Sequence, residues 1–284
     1  MNSIPSLMAG KRGLIMGVAN ERSIAWGIAR ALHEQGAELA FTYQGDAFGA
    51  RVKPLAASIG SQIVLPCDVE DDASLDALFD RLHAAWDKLD FLVHGIAFSE
   101  KEALKGRYVD TGRRNFLKTL DISCYSFTDV CRRAATMMPD GGSIITLTYA
   151  GSEKVMPNYN VMGVAKAALE ASVRYLAADL GPDGVRINAL SPGPMRTLAG
   201  SVIGSARYVF RFNRDFAPLR RNIDFDDVGG AALFFLSDLS RGVTGEILHV
   251  DAGFHVVGIP SPDAGQTGLH LSGNGNNHDP GEGS

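Results

Sequence analysis

Short, fully apolar runs alternate along this chain with longer segments whose apolar residues recur every three or four positions. Runs of the first kind are typical of strands buried on both faces, and segments of the second kind are typical of amphipathic helices. Seven runs predict strands: GLIMGV, ELAFTY, QIVLPCDV, FLVHGIAF, SIITLTYA, VRINALSPG and TGEILHVDAG. Because helical segments separate them, the pattern predicts one doubly wound, Rossmann-type α/β domain, with a parallel sheet of about seven strands and helices on both faces.

The helical periodicity predicts helices over residues 23–36, 74–86, 116–138, 159–180 and 226–238. No change of composition divides the segment 1–257, so we expect one domain there, with a segment near 195–220 that covers the ligand. Residues 258–284 are rich in Gly, Asn, Ser and Pro, which predicts a disordered tail. Metal capture by His270 and His278 is the alternative for the tail, but no further ligand cluster accompanies them, so we predict no metal site.

Composition excludes several classes of protein. The net charge is −5 with no long basic run, so we expect no nucleic-acid partner. There is neither a signal peptide nor an apolar run of the ~20 residues that a membrane helix needs, so we expect no membrane association. Three cysteines without a C-x-x-C motif fit reduced thiols in a cytoplasmic protein.

The turn after the first predicted strand is a candidate nucleotide site. Its sequence, GVANERSIAWG, holds Gly17 and Gly27 but lacks the full G-x-G-x-x-G pattern. Ser23 is placed to cap the following helix at Ile24 and to donate to a phosphate. The alternative is a tight turn that binds no ligand.

Three further strand ends fall at the same predicted edge of the sheet. They carry Gln44, the pair Asp68 and Val69, and the segment 95–97. Asp68 is expected to accept a hydrogen bond from an adenine amino group, although a turn cap is the alternative. Gln44 and the two residues after it include no Arg or Lys for a 2′-phosphate, which favours NADH over NADPH.

The run YNVMGVAK pairs Tyr159 with Lys166 across six intervening residues. Short-chain dehydrogenases usually have three residues between such a Tyr and Lys. No Tyr anywhere in this chain lies four residues before a Lys, so the usual pair is absent. This absence argues against a dehydrogenase acting on a carbonyl or alcohol, which remains one alternative; a non-catalytic NAD(H)-binding sensor is the other.

A family resemblance rests on the segments GVANERSIAWGIA, VHGIAF, DISCYSF, TYAGSEKVMPNYNVMGVAKAALE, GPMRTLA and GEILHVDAGF. They resemble the NADH-dependent enoyl-acyl-carrier-protein reductases of bacterial type II fatty-acid synthesis, a branch of the short-chain dehydrogenase/reductase superfamily. The resemblance covers roughly residues 9–257, and it implies reduction of a trans-2-enoyl thioester in fatty-acid elongation. It further implies acyl carrier protein as the partner bearing the substrate, and a homotetramer whose interface includes the last strand.

The resemblance also implies roles for individual residues. Tyr159 would stabilise the enolate as an oxyanion-hole donor, Lys166 would bind the nicotinamide ribose, and Tyr149 would line the substrate pocket as a further catalytic residue. A Tyr placed one helical turn earlier, about 5.4 Å away, meets an oxygen two carbons beyond the hydride acceptor. Packing roles for both tyrosines and a solvated Lys166 are the alternatives.

The remaining implied contacts concern the cofactor and the acyl chain. For the cofactor they are Gly17, Ser23, Ile24, Gln44, Asp68, Val69, Ile96, Lys166, Met195, Arg196, Thr197, Leu198 and Ala199, with Thr197 bonding the pyrophosphate or the nicotinamide amide. For the substrate they are Ala97, Phe98, Ser99, Tyr149, Tyr159 and Ala206. Ala97 and Ala206 depart from the usual Gly and aromatic residue of the family, which puts acyl-chain preference and inhibitor sensitivity in doubt.

The segment after the sixth strand combines a helical pattern with basic residues. Arg207, Arg211 and Arg214 fall at i, i+4 and i+7, which is one face of a helix. Because the whole chain is acidic, this face is a candidate docking surface for the acidic carrier protein or for the phosphate of its pantetheine arm. A solvated face with intrahelical ion pairs is the alternative.

Overall fold

The computed structural model describes residues 6–197 and 205–260. Seven parallel strands form one sheet in the order β3-β2-β1-β4-β5-β6-β7. The strands are β1 (Arg12–Met16), β2 (Glu38–Tyr43), β3 (Ile63–Pro66), β4 (Phe91–His94), β5 (Gly142–Leu147), β6 (Val185–Pro192) and β7 (Ile247–Val250). The strand order reverses between β1 and β4, which is the point where a doubly wound sheet opens a ligand crevice at its carboxyl edge.

Helices cover both faces of the sheet. They are α1 (Ile24–Glu34), α2 (Gly45–Ser58), α3 (Asp72–Ala85), α4 (Arg113–Leu120), α5 (Ser126–Ala135), α6 (Val161–Leu180), α7 (Ala206–Phe216) and α8 (Phe225–Leu236). One buried apolar layer joins the sheet to α3, α5 and α6, and a second joins it to α1, α2 and α8. The predicted doubly wound architecture is confirmed, because both faces of the sheet are covered.

The predicted long helix over 116–138 is interrupted. Between α4 and α5 the chain makes a π-helical turn, Asp121–Tyr125, in which the Ser126 amide bonds the Asp121 carbonyl five residues back. Such wide turns concentrate at functional sites in other proteins. Helix α2 was not among the predicted helices, because only Gly49, Val52 and Ala56 of its residues are buried and Pro54 lies inside it.

The helix predicted from residue 159 begins later. Helix α6 starts at Val161, and its N-cap Asn160 has φ 43°, while Asn158 has φ 58°. The prediction that Tyr159 lies on the helix is therefore wrong: this residue occupies a tight turn between two left-handed residues. Backbone strain of this kind persists only where the surrounding structure holds it.

Two further predictions concern the C-terminal tail and membrane-spanning segments. The predicted tail, 258–284, falls almost wholly outside the described residues, and the division at residue 257 stays a prediction. In the described portion, no helix is both long enough and apolar enough to cross a membrane.

Candidate functional site

At the base of the crevice, the backbone segments that follow β1 and β4 lie unusually close to each other. Gly17 follows β1 with φ +96°, and a Cβ built on it would lie 2.1 Å from the Gly95 carbonyl oxygen after β4. The Gly95 amide in turn donates to the Met16 carbonyl at 2.9 Å. Only glycine meets both the left-handed backbone and the lack of space at Gly17. The two strand ends therefore form a side-chain-free surface that a flat ligand can approach.

The turn leading into α1 is shaped by Ser23. Its hydroxyl oxygen accepts hydrogen bonds from the amides of Ala19 (2.9 Å) and Asn20 (3.1 Å). Ser23 holds the N-cap position, but its side chain does not cap the helix, so the expectation of a side-chain cap is wrong. The hydroxyl proton is left to donate, beside the first amides of α1 at Ile24. Such amides at a helix N-terminus bind phosphate groups.

The residues predicted to contact adenine and its ribose follow β2 and β3 in exposed or half-buried positions. Gln44 is exposed and precedes α2, while Asp68 and Val69 are half-buried after β3. One Asp68 carboxylate oxygen accepts from the Glu70 amide at 3.0 Å, so the turn-cap interpretation holds for that oxygen. The Asp68 amide donates to the Ser74 hydroxyl at 2.9 Å, which fixes the loop.

Two tyrosines meet at the carboxyl edge of β5. The rings of Tyr149 and Tyr159 contact edge to face with their centroids 5.0 Å apart. A Cβ on Gly151 would lie 2.3 Å from the Tyr159 ring, so this glycine makes room for the side chain. Asn160 fixes the turn, because its side-chain amide donates to the Ala103 carbonyl at 3.0 Å. Within the described residues neither tyrosine hydroxyl has a hydrogen-bond partner, so both are available to a ligand.

Burial keeps both tyrosines protonated. It raises the pKa of Tyr149 to about 12. The pKa of Tyr159 is also raised, first by burial and then by electrostatic repulsion between its ionised form and both Tyr149 and Glu170. At neutral pH each hydroxyl is therefore a hydrogen-bond donor, as the stabilisation of an oxyanion requires.

Lys166 lies on α6 and is only 6% exposed, so the alternative of a solvated lysine is wrong. Its ammonium group donates to the Leu147 carbonyl at the end of β5, at 2.7 Å. Burial lowers the pKa of Lys166 to about 8, while Cys124 and Glu170 act to raise it. Lys166 and the two tyrosines therefore all lie near the carboxyl end of β5.

An apolar cluster surrounds the tyrosines. Leu104, Met162 and Ala165 are buried against Tyr159, and half-buried neighbours complete the lining. On the open side, the ring of Phe98 is 43% exposed and the Lys118 ammonium lies 5.3 Å from its centroid. An acyl chain could rest on this surface.

The π-helical turn supports the segment after β4. The Ser123 hydroxyl accepts from the Phe98 amide at 2.9 Å and lies 3.0 Å from the Phe98 carbonyl, to which it donates. Ser99 is bonded to α4, the helix before this turn, since the Thr119 hydroxyl donates to the Ser99 hydroxyl at 3.1 Å. Ala97 is exposed beside them, and Ile96 is half-buried. Sequence patterns missed Ser123, because periodicity does not reveal one extra residue in a helical turn.

A second buried network extends from the same turn. His94, at the end of β4, is fully buried between the hydroxyls of Thr146 (3.2 Å) and Ser126 (2.9 Å). The Ser126 hydroxyl donates to the Ile122 carbonyl at 2.7 Å. In an α-helix that carbonyl would accept from the Ser126 amide, but this amide bonds the Asp121 carbonyl instead. Burial, and then the charge of Lys166, lower the pKa of His94 to about 3, so the ring is neutral and connects β4, β5 and the π-helical turn.

The segment after β6 is described in part. The Thr197 amide donates to the Met195 carbonyl at 3.0 Å, and the Arg196 guanidinium lies 4.9 Å from the Phe210 ring centroid on α7. Ala206 is half-buried at the first residue of α7. Leu198 and Ala199, also predicted as cofactor contacts, lie outside the described residues.

Comparison with known proteins gives one consistent result. The family model described as Enoyl-(Acyl carrier protein) reductase matches residues 17–255. Enoyl-acyl-carrier-protein reductase (NADH) 2 of Rhizobium meliloti is 62% identical over 258 residues, which are 91% of this chain and 96% of that protein.

Solved structures agree with the sequence relatives. The enoyl-acyl-carrier-protein reductase of Anaplasma phagocytophilum in complex with NAD is 58% identical, with a TM-score of 0.87 over 90% of this chain and 97% of that one. FabI from Candidatus Liberibacter asiaticus is 53% identical, with a TM-score of 0.89 over 91% of this chain and 100% of that one.

Proposed function

This chain belongs to the enoyl-acyl-carrier-protein reductase family, and we propose that it uses NADH to reduce the trans-2 double bond of enoyl thioesters in fatty-acid elongation. The observation that carries the proposal is the group of Tyr149, Tyr159 and Lys166 at the carboxyl edge of β5. The usual dehydrogenase arrangement, with three residues between Tyr and Lys, is absent from the sequence. A reductase of conjugated thioesters therefore fits better than a dehydrogenase acting on ketones or alcohols.

The crevice fits a dinucleotide. Gly17 and Gly95 leave a surface without side chains, and the N-terminus of α1 with the Ser23 hydroxyl suits a pyrophosphate. In this proposal Lys166 would donate to the hydroxyls of the nicotinamide ribose, and Gln44 would hold the adenine ribose. NADH bound in this way supplies the hydride for the β-carbon of the substrate.

The tyrosines complete the chemistry on the substrate side. Addition of hydride to the β-carbon moves negative charge onto the thioester oxygen, two carbons further along. The Tyr159 hydroxyl, protonated and free of other partners in the described residues, donates to that oxygen and stabilises the enolate. Lys166 adds positive charge nearby, and Tyr149 closes the pocket beside the thioester. A proton taken up from water then adds to the α-carbon, and the enolate returns to a thioester as the saturated product.

Replacing Tyr159 with Phe tests this function. We expect kcat for an enoyl thioester to fall about 10²-fold to 10³-fold, the usual effect of removing one oxyanion donor, while the affinity for NADH stays within twofold or so. NADH oxidation with a crotonyl thioester gives the rate, and fluorescence titration gives the affinity.

Tyr175→Phe is the matched control, because Tyr175 lies on α6 but is 76% exposed. It should leave both quantities unchanged. A wild-type protein that oxidised NADH with ketones but with no enoyl thioester would contradict the proposed function. Binding of NADH without any turnover would favour the sensor alternative.

The proposal includes acyl carrier protein as the partner that bears the enoyl substrate. On α7, Arg207 and Arg211 are exposed and make no ion pair with any described residue, whereas Arg214 pairs with Asp215 at 2.7 Å. The intrahelical pairing alternative therefore applies to one of the three arginines. Two unpaired cations on an acidic protein support a docking surface for an acidic carrier.

The proposal also includes assembly into a homotetramer. β7 is an edge strand, and an unprotected edge favours pairing or burial against another subunit. The residues after it are apolar and open, with Val256 69% and Ile259 92% exposed. These features support an interface of several copies at this edge. The cytoplasmic location expected from the sequence stays a prediction.

A further inference from the structure

Glu170 is a buried acid that the proposed chemistry leaves without a role. It lies on α6 one turn after Lys166, and it is only 8% exposed. Removing a carboxylate from water is costly unless it is paired or hydrogen-bonded. Its presence on the buried face of a long helix therefore requires a compensating interaction.

The compensating contacts lie at the carboxyl end of β5. One Glu170 carboxylate oxygen accepts a hydrogen bond from the Thr148 hydroxyl at 2.5 Å. Lys166, one turn earlier, donates to the carbonyl of the preceding residue, Leu147, at 2.7 Å. The two opposite charges of α6 are thus anchored at adjacent residues of one strand end. Thr148 in turn precedes Tyr149, so this anchor also holds the start of the tyrosine-bearing segment.

Among the described residues Lys166 and Glu170 form no ion pair with each other; each is bonded to β5 or to the residue after it instead. A direct pair would occupy the Lys166 ammonium and turn it away from a ligand. The Glu170 carboxylate, one helical turn after Lys166, attracts the Lys166 ammonium without accepting a hydrogen bond from it. This spacing suits a lysine that must present its protons to a ribose.

Lys166 needs such a partner because its surroundings oppose its charge. Burial lowers its pKa to about 8, and the Glu170 charge acts in the opposite direction. The other titratable side chains that the described neighbouring elements direct at this site are not carboxylates. They are Cys124, Tyr149, Tyr159 and His94.

We infer that Glu170 is a positioning residue whose carboxylate, fixed by Thr148, keeps Lys166 protonated so that Lys166 can hold the nicotinamide ribose. This inference rests on the proposed function, because it assigns the cofactor to Lys166. Glu170 itself touches neither cofactor nor substrate. Its effect is therefore on the pH range in which NADH is bound.

The pH dependence of NADH binding tests the inference. Lys166 binds the ribose in its protonated form, so wild-type affinity should fall as the pH rises through about 8. Glu170→Gln keeps a hydrogen-bonding group but removes the charge, and the midpoint of this fall should move down by about one pH unit. Glu170→Asp retains a carboxylate and should restore most of the wild-type midpoint. Fluorescence titration with NADH at a series of pH values gives each midpoint.

Asp179→Asn is the matched control, since it removes one negative charge from an exposed position on the same helix. An equal shift in this variant, or an unchanged midpoint in Glu170→Gln with weaker binding at every pH, would overturn the inference. If Glu170→Gln does not fold, Thr148→Val provides the second test. It removes the donor that fixes the carboxylate, and it should move the midpoint in the same direction by a smaller amount; no movement would also overturn the inference.

The titration separates this inference from the proposed function, because NADH binding requires no enoyl turnover. A wild-type protein with the expected binding profile but no enoyl reductase activity would defeat the proposed function alone. A wild-type enzyme that reduces enoyl thioesters while Glu170→Gln keeps its binding midpoint would defeat the inference alone.

Discussion

Tyr159 owes its position to a turn and not to a helix. The two asparagines on either side of it, Asn158 and Asn160, both have positive φ angles, and Asn residues tolerate this conformation better than most. The turn directs the Tyr159 ring back over Gly151 and against Tyr149. The six-residue gap to Lys166 is therefore spanned by a strained turn plus part of α6. A simple shift by one helical turn does not describe this geometry.

Gly17→Ala tests the close approach of β1 and β4. The added methyl would face the Gly95 carbonyl oxygen at 2.1 Å on a backbone with φ +96°. Since the backbone must move to relieve the clash, we expect a loss of about 1–3 kcal/mol of folding free energy and at least about tenfold weaker NADH binding. Thermal unfolding and NADH titration measure the two effects.

Gly60→Ala separates the clash from the backbone strain. Gly60 has φ +77°, but a Cβ there would meet nothing within 4 Å. This variant should lose about 1 kcal/mol of stability and keep its NADH affinity. Equal effects of the two substitutions on NADH binding would contradict the role given to Gly17.

Individual residues differ in how well the sequence predicts them. Lys166 and the tyrosines were predicted because their spacing is unusual and the chemistry gives that spacing a reason. Glu170 leaves a weaker signal, because it is an acidic residue on the apolar face of a helix and belongs to no recognised motif. Ser123 leaves none, since its role depends on a local change in helical winding that apolar periodicity does not encode.

At the scale of elements, the strands were easier to predict than the helices. Five of the seven strands lie inside the predicted apolar runs, and β1 and β5 begin one residue before theirs, because burial on both faces leaves little room for polar residues. β4 ends at His94, before the predicted end, since the chain leaves the sheet at Gly95 to form the crevice. Helix α2 was missed because its exposed surface and Pro54 weaken the periodic signal.

Helix α7 provides the prediction at this scale. Reversing Arg207 and Arg211 to Glu should raise KM for carrier-linked enoyl substrate about tenfold, because complementary charges at an interface act mainly on encounter and docking. KM for the coenzyme A-linked substrate should change much less. Steady-state kinetics with the two substrates measure the difference.

A double variant with the same change of charge serves as control. Arg81 and Arg241 are both exposed and lie outside α7, and their reversal to Glu should affect both substrates alike. Equal, modest losses for carrier-linked and coenzyme A-linked substrates in the α7 variant would rule out the docking surface.

For the whole molecule, the sheet order has a direct consequence for assembly. β3 and β7 are the two edges of the sheet, and apolar side chains are exposed beside β7. The sequence predicted the single sheet and the crevice at its carboxyl edge. The periodicity of one chain does not encode what lies against the edges, so the interface expected at the last strand comes from the family resemblance alone.

Light scattering tests the tetramer. We expect a wild-type mass close to four times that of the chain, and a smaller assembly when Val256 is replaced by Asp, since a charge buried at an interface is unfavourable. Val109 is the matched control, because both valines are 69% exposed in the single chain. Val109→Asp should keep the wild-type mass. A monomeric wild-type protein would contradict the proposed assembly.

The π-helical turn also restricts how this chain can vary in length. One extra residue in a turn rotates everything after it by about 100° around the helix axis. Ser123 and Ser126 therefore reach Phe98 and His94 only with the residue count that the chain now has. Deleting one residue between them would give a more regular helix with the wrong phase. This segment should accept substitutions more readily than insertions or deletions.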